Sequence, residues 1–97
     1  MARIWELPVD YTKLTQPQRR KVRLQYITRQ NGICPHCGQP LEGPPSGEVQ
    51  VARVNHALFP PKFFDHPIHL HHNHRTGLTI GAVHAHCNAV LWQYHGQ

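Results

Sequence analysis

The chain has 97 residues, 39% of them apolar, with nine prolines and seven glycines, which limits it to one domain with a small core. No run of apolar residues is long enough for a membrane span, and MARIWELPVD lacks the apolar segment and small-residue cleavage site of a secretory signal, so a cytoplasmic protein is expected. Ten Lys/Arg against five Asp/Glu give a formal charge of +5, which points to a polyanionic partner, nucleic acid being the commonest.

Residues 1–15 have no period and read as an arm that packs or binds. Thr15 before Gln16-Pro17 reads as a helix start: an oxygen to cap free amides, then proline in the first turn. A helix is predicted over 16–31, with Val22, Tyr26 and Ile27 at helical spacing and Gly32 as its stop. Residues 1–30 hold seven basic and two acidic residues, so the whole excess of +5 sits in this third. Arg19, Arg20, Lys21 and Arg23 crowd the opening half of the helix. There they oppose the helix dipole by roughly a few tenths of a kcal/mol each, a misfit relieved if they meet DNA phosphates. The alternative is a solvated face that serves solubility.

Cys34-Pro35-His36-Cys37-Gly38 follows as a tight knuckle. Residues 39–67 are rich in Pro and Gly and read as an extended connection, except that 48–54 (EVQVARV) alternates like a strand. Residues 68–72 look extended, Asn73–Gly77 is turn chemistry, and 78–83 reads as a second strand in which Gly81 allows close approach. From His86 to Tyr94 the pattern is helical, ending near Gly96. Trp5 and Trp92 read as packing residues rather than base-stacking ones, because large aromatics dominate small cores.

A domain this small is marginal and needs a staple. Three cysteines cannot complete a disulfide framework, whereas three cysteines among ten histidines favour zinc. Cys34-x2-Cys37 and His84-x2-Cys87 supply the four N/S ligands of a closed tetrahedral site. The alternative is three buried thiols acting as small hydrophobes. A second constellation, His69-Leu70-His71-His72-Asn73-His74 with Asn88, puts four histidines in six residues, which is not a core feature. Its bland alternative is an exposed loop with incidental metal affinity.

The stretch LHHNHRTGLTIGAVHAHCNAVL resembles the core of the HNH, or ββα-metal, nucleases, and is especially similar to the phage branch that includes junction-resolving endonucleases. His71-His72-Asn73-His74, Thr76-Gly77, Gly81 and His84-x2-Cys87-Asn88 match that pattern in order, and Cys34-x2-Cys37 completes its zinc knuckles. The match covers residues 34–38 and 68–92 and says little about 1–30 or 39–67. The resemblance implies a single α+β domain over 1–97: an arm at 1–15, a basic helix at 16–31, knuckles at 34–38 and 84–87, and a ββα-metal (His-Me finger) catalytic unit at 68–95. It also implies a phage or prophage setting in a bacterial host.

By resemblance, His72 sits where the family carries its general base. His71 and Asn88 sit where its divalent-metal ligands lie, and His74 resembles an accessory histidine that contacts phosphate or adjusts the metal site. The implied activity is metal-dependent hydrolysis of DNA phosphodiesters, nicking one strand to leave a 3′-hydroxyl and a 5′-phosphate. Where the family often carries Asp, this chain has His71, so its catalytic ion should be Mn²⁺ rather than Mg²⁺, beside a structural Zn²⁺. His84 stands where many relatives have cysteine, which zinc accepts equally. A regular strand sends His71 and His72 to opposite faces, so the first strand is expected to bend or end there. A rival reading keeps the zinc and the basic helix as a non-catalytic nucleic-acid-binding module. RNA or branched substrates fit the same chemistry, and monomer and dimer are both open.

Overall fold

Helix α1 spans Gln16–Arg29 in the computed structural model, which describes residues 5–60 and 62–95. Arg3 of the basic arm and Gly96 lie outside the described residues, as do the side chains of His56 and His95. Thr15 opens the helix with a reciprocal cap: its hydroxyl accepts from the Gln18 amide, and the Gln18 side chain accepts from the Thr15 amide at 2.9 Å. Val22 and Tyr26, four residues apart, turn to the core and are buried. The chain leaves the helix through Asn31 and Gly32, whose N–H groups close back on Thr28 and Ile27.

Strands β1 (Ile68–His72) and β2 (Thr79–His84) form a two-stranded antiparallel sheet. Their turn is built by Asn73, whose side-chain oxygen accepts from the Arg75 and Thr76 amides at 2.8 and 3.0 Å. Gly77 sits in that turn at φ +79°, and a side chain there would strike the Asp10 carboxylate at 2.9 Å. The ladder is regular from Ile68↔His84 to His71↔Gly81 and then slips to His72↔Thr79. Ile80 is therefore the extra residue of a bulge, and the bend falls between His71 and His72. Helix α3 (Ala85–His95) starts with no residue between it and β2. It buries Ala85, Cys87, Ala89 and Val90.

The arm adds a third extended segment beside β2. The Thr79 N–H donates to the Val9 carbonyl at 2.9 Å and the Tyr11 N–H donates to the Gly77 carbonyl at 2.8 Å. Leu14, Val22, Tyr26, Leu41, Val49, Leu70, Val83 and Val90 form the core, with the sulfurs of Cys34 and Cys87 buried among them.

The strand reading of 48–54 is overturned. Gly47–Val51 form helix α2 and Ala52–Val54 have no strand partner. Pro44-Pro45 deliver the chain to Ser46-Gly47 at a helix start, the Gln50 N–H closes on the Ser46 carbonyl, and the only side chain the turn buries is Val49. Val51 stays 80% exposed, so the alternation of valines does not mark two faces of a sheet. The other described residues of 39–67 are turns, bends and irregular chain with one short 3-10 segment at His56–Leu58.

Glutamine amides stitch these pieces together. Gln25 accepts from the Trp5 N–H and donates to the Trp5 carbonyl at 2.8 and 2.7 Å. Gln30 does the same to Ala82 on β2, at 2.9 Å both ways, and so docks the end of α1 on the sheet. Gln93 accepts from Asn55 and donates to the Arg53 carbonyl, holding the middle segment to α3. Gly81 leaves room for the Gln30 clamp, since a Cβ there would stand 2.8 Å from Oε1. No helix among the described residues is long and apolar enough to cross a membrane.

Candidate functional site

The tight turn after α1 and the junction of β2 with α3 bring Cys34, Cys37, His84 and Cys87 together, with all ligating atoms within 4.8 Å of one another. The His84 Nε2–H donates to the Pro40 carbonyl at 2.8 Å. A carbonyl can only accept, so Nδ1 carries the lone pair, and it faces the sulfurs of Cys37 at 3.4 Å and Cys87 at 3.6 Å. Zinc bonds of about 2.0 Å to nitrogen and 2.3 Å to sulfur would put those atoms about 3.5 Å apart in a tetrahedron. The Pro40 contact is the outer-shell bond that aims metal-ligating histidines. The Cys87 thiol donates to Cys34, which holds Cys34 down at about 4 against the effect of burial and pushes Cys87 up, where burial adds to the rise. Backbone N–H groups of Cys37, His84 and His36 further favour the Cys34 thiolate. The four side chains can hold a metal ion such as zinc, and the donor set, its burial and its spacing all fit that ion.

The second candidate is a cleft of about 850 Å³ between α1, β1 and α3. His72, His74, Asn88 and the basic residues Arg19, Arg20, Lys21 and Arg23 all line it, and among the described residues no Asp or Glu does. His72 lies flat on Tyr11, with ring centroids 3.8 Å apart and planes 5° from parallel. The Arg19 guanidinium carbon stands 3.9 Å from the same Tyr11 centroid. Two groups that close cannot share one face, so Tyr11 is sandwiched between Arg19 and His72. His74 tilts over His72 at 4.7 Å. Burial, then the neighbouring His74, pulls the His72 pKa below the ordinary imidazole value, so its neutral, proton-accepting form prevails at pH 7.

His71 has a different setting. It is 4% exposed and is not part of the cleft wall, so the bulge separates it from His72 rather than turning both into one space. Asn88, one turn into α3, meets His69 instead: its amide and the His69 Nδ1 are 3.1 Å apart. The His69 ring also hydrogen-bonds to the backbone of Phe63 and His66, and burial lowers its pKa. Two cis ligands of an octahedral ion at about 2.1 Å are about 3.0 Å apart, so the His69–Asn88 spacing suits a shared divalent ion once the amide presents its oxygen. Among the described residues, the strand histidines do not form a second cluster of three or more converging His, Cys, Asp or Glu ligands.

Three features of this site were not read from the sequence. Tyr11 gave no signal in an arm without periodicity. His69 stands in the sequence cluster with nothing local that singles it out from its neighbours. Trp92, expected as packing, is 40% exposed on the cleft wall beside Phe59. Compared with known protein families, curated proteins and solved structures, the chain matches none.

Proposed function

We propose that this protein is a small metal-dependent endonuclease that hydrolyses DNA phosphodiester bonds, with His72 as general base. The observation that carries the reading is the cleft itself: a neutral histidine held flat against Tyr11, in a space lined by four cations and, among the described residues, by no carboxylate that would repel a phosphate. Arg19, Arg20, Lys21 and Arg23 would hold backbone phosphates, contacts that position without reading sequence. The His72 imidazole would take a proton from water as the oxygen attacks phosphorus, and the 3′ oxygen would leave. His74, 4.7 Å from His72, would touch the same phosphate. A divalent ion, when bound, supplies Lewis-acid stabilisation of the charge that develops on the phosphate and leaving oxygen. Asn88 is one ligand in either arrangement. The family resemblance gives His71 as the other, and the geometry favours His69. With only nitrogen and amide donors, Mn²⁺ should serve better than Mg²⁺. One site cuts one strand per event, so the expected product is a nick.

Plasmid relaxation tests this directly. The zinc-loaded chain should nick supercoiled plasmid in Mn²⁺ faster than in Mg²⁺. His72→Ala should slow nicking by about 10²–10⁴-fold while DNA binding survives. Equal nicking by that variant removes His72 as the base. His69→Ala and His71→Ala separate the two ligand assignments by which one raises the Mn²⁺ concentration needed. A second reading, a non-catalytic zinc module that only binds nucleic acid, draws on the burial of His71 and the lack of a third converging ligand. It expects binding with no metal-dependent nicking in any variant.

A further inference from the structure

The cleft has two walls of unlike chemistry. Its α1 wall carries Arg19, Arg20, Lys21 and Arg23; the facing wall carries Phe59 and Phe63 from the segment before β1, and Trp92 from α3. These rings form an unbroken row: Trp92 to Phe59 is 5.6 Å between centroids, Phe59 to Phe63 is 4.7 Å, and Phe63 to His69 is 4.6 Å. The row therefore runs from an open indole down to the His69–Asn88 pair. Trp92 is 40% exposed and Leu58, beside Phe59, is 49% exposed. A phosphate-binding role needs only the cations. It does not account for an aromatic face left open across from them.

Duplex DNA presents phosphates on its outside and keeps the faces of its bases stacked on each other. An aromatic wall offers such a backbone nothing. A strand with unpaired bases presents phosphate on one side and flat apolar faces on the other, and this is the pattern of the cleft. We propose that the cleft binds single-stranded nucleic acid, with phosphates against α1 and bases stacked on the Trp92–Phe59 wall. This rests on the nucleic-acid reading of the same cleft and adds the form of polynucleotide it takes. The packing of like charges supports it: Arg23 is half-buried and lies within the field of Arg20, so both gain from an anion between the walls. The stacking needs no particular base, because every base has a π-face, so selectivity is for strandedness rather than sequence.

The test is fluorescence anisotropy with the full zinc-loaded chain and no other divalent ion, using labelled oligothymidylate, oligouridylate and a duplex of equal length. At least one single strand should bind about tenfold or more tightly than the duplex, and its binding should quench tryptophan emission. Which of the two strands binds better tells DNA from RNA. Trp92→Ala should weaken single-strand binding by roughly 5- to 100-fold, and Trp92→Phe should restore most of it. Duplex binding as tight as either single strand overturns the proposal, as does unaltered affinity in a Trp92→Ala protein of normal helicity and zinc content. Should that variant fail to fold, an unquenched tryptophan signal in the unaltered chain overturns it instead. Plasmid nicking without strand preference defeats this inference alone. Strand preference with no Mn²⁺-dependent cleavage of plasmid or of the bound single strand defeats the hydrolytic reading alone.

Discussion

Asp10 shows how much one exposed side chain can organise. Its carboxylate accepts from the Thr12 hydroxyl at 2.6 Å and from the Thr12 amide at 3.0 Å, which shapes the turn that presents Tyr11 to His72. Those two hydrogen bonds hold its pKa below the ordinary 3.8. A carboxylate whose folded pKa is depressed adds stability above its unfolded pKa, and that contribution is lost as pH falls through the folded value. The Tyr11 amide, bonded to the Gly77 carbonyl, should therefore lose protection, measured against its intrinsic exchange rate at each pH, as pH drops below 3.8. Zinc is also lost in acid, so the comparison is with Asp10→Asn, which cannot ionise: the difference between the two proteins should vanish at low pH. A constant difference across the titration would assign the Asp10 effect to shape rather than charge.

Among the elements, α1 is tied to the sheet by the buried hydroxyls of Tyr26 and Thr79, 2.8 Å apart, and by one amide at its end. Gln30 satisfies both the N–H and the C=O of Ala82, a residue with no exposed surface. Gln30→Ala would leave both groups without that partner, and a buried unmet polar group costs about 1–3 kcal/mol. Stability should fall by about 2 kcal/mol or more, read as a lower midpoint in denaturant at unchanged slope. A loss below about 0.5 kcal/mol would mean that water replaces the amide. The ends of these elements were legible in the sequence where local chemistry decides them. Thr15 with Gln18 starts α1, Asn73 builds the hairpin turn, and Cys-x2-Cys with His-x2-Cys marks the metal knuckles. What was not legible depends on contacts far apart in the chain. Nothing near Tyr11 announces a partner at His72, and nothing near Gln30 announces Ala82. The valines at 49, 51 and 54 mimic a strand because three residues cannot distinguish a period of two from a capped turn of helix.

At the scale of the whole molecule, the Cys34, Cys37, His84, Cys87 cluster brings distant parts of the chain to one point. That cluster ties the turn after α1 to the junction of β2 and α3, and Cys34 and Cys87 are themselves core residues. Cys87→Ser should lower zinc content below one ion per chain and lose helicity and cooperative unfolding together, as small domains with structural zinc do. Metal analysis alongside circular dichroism checks both, and a serine variant with full zinc and native helicity would show that Cys87 is not a ligand. Because β2 passes straight into α3 at this cluster, releasing the ion should also free Asn88 from His69.

The glutamine stitches carry a chemical liability. Each works because one primary amide offers a donor and an acceptor side by side, matched to a peptide unit. Hydrolysis of that amide to a carboxylate keeps the size and removes the donor, setting an anion against the carbonyl of Trp5, Ala82 or Arg53. Hydrolysis at any of these seams should thus loosen the chain there, and drift at positions 25, 30 and 93 is closed to glutamate despite its near-identical shape.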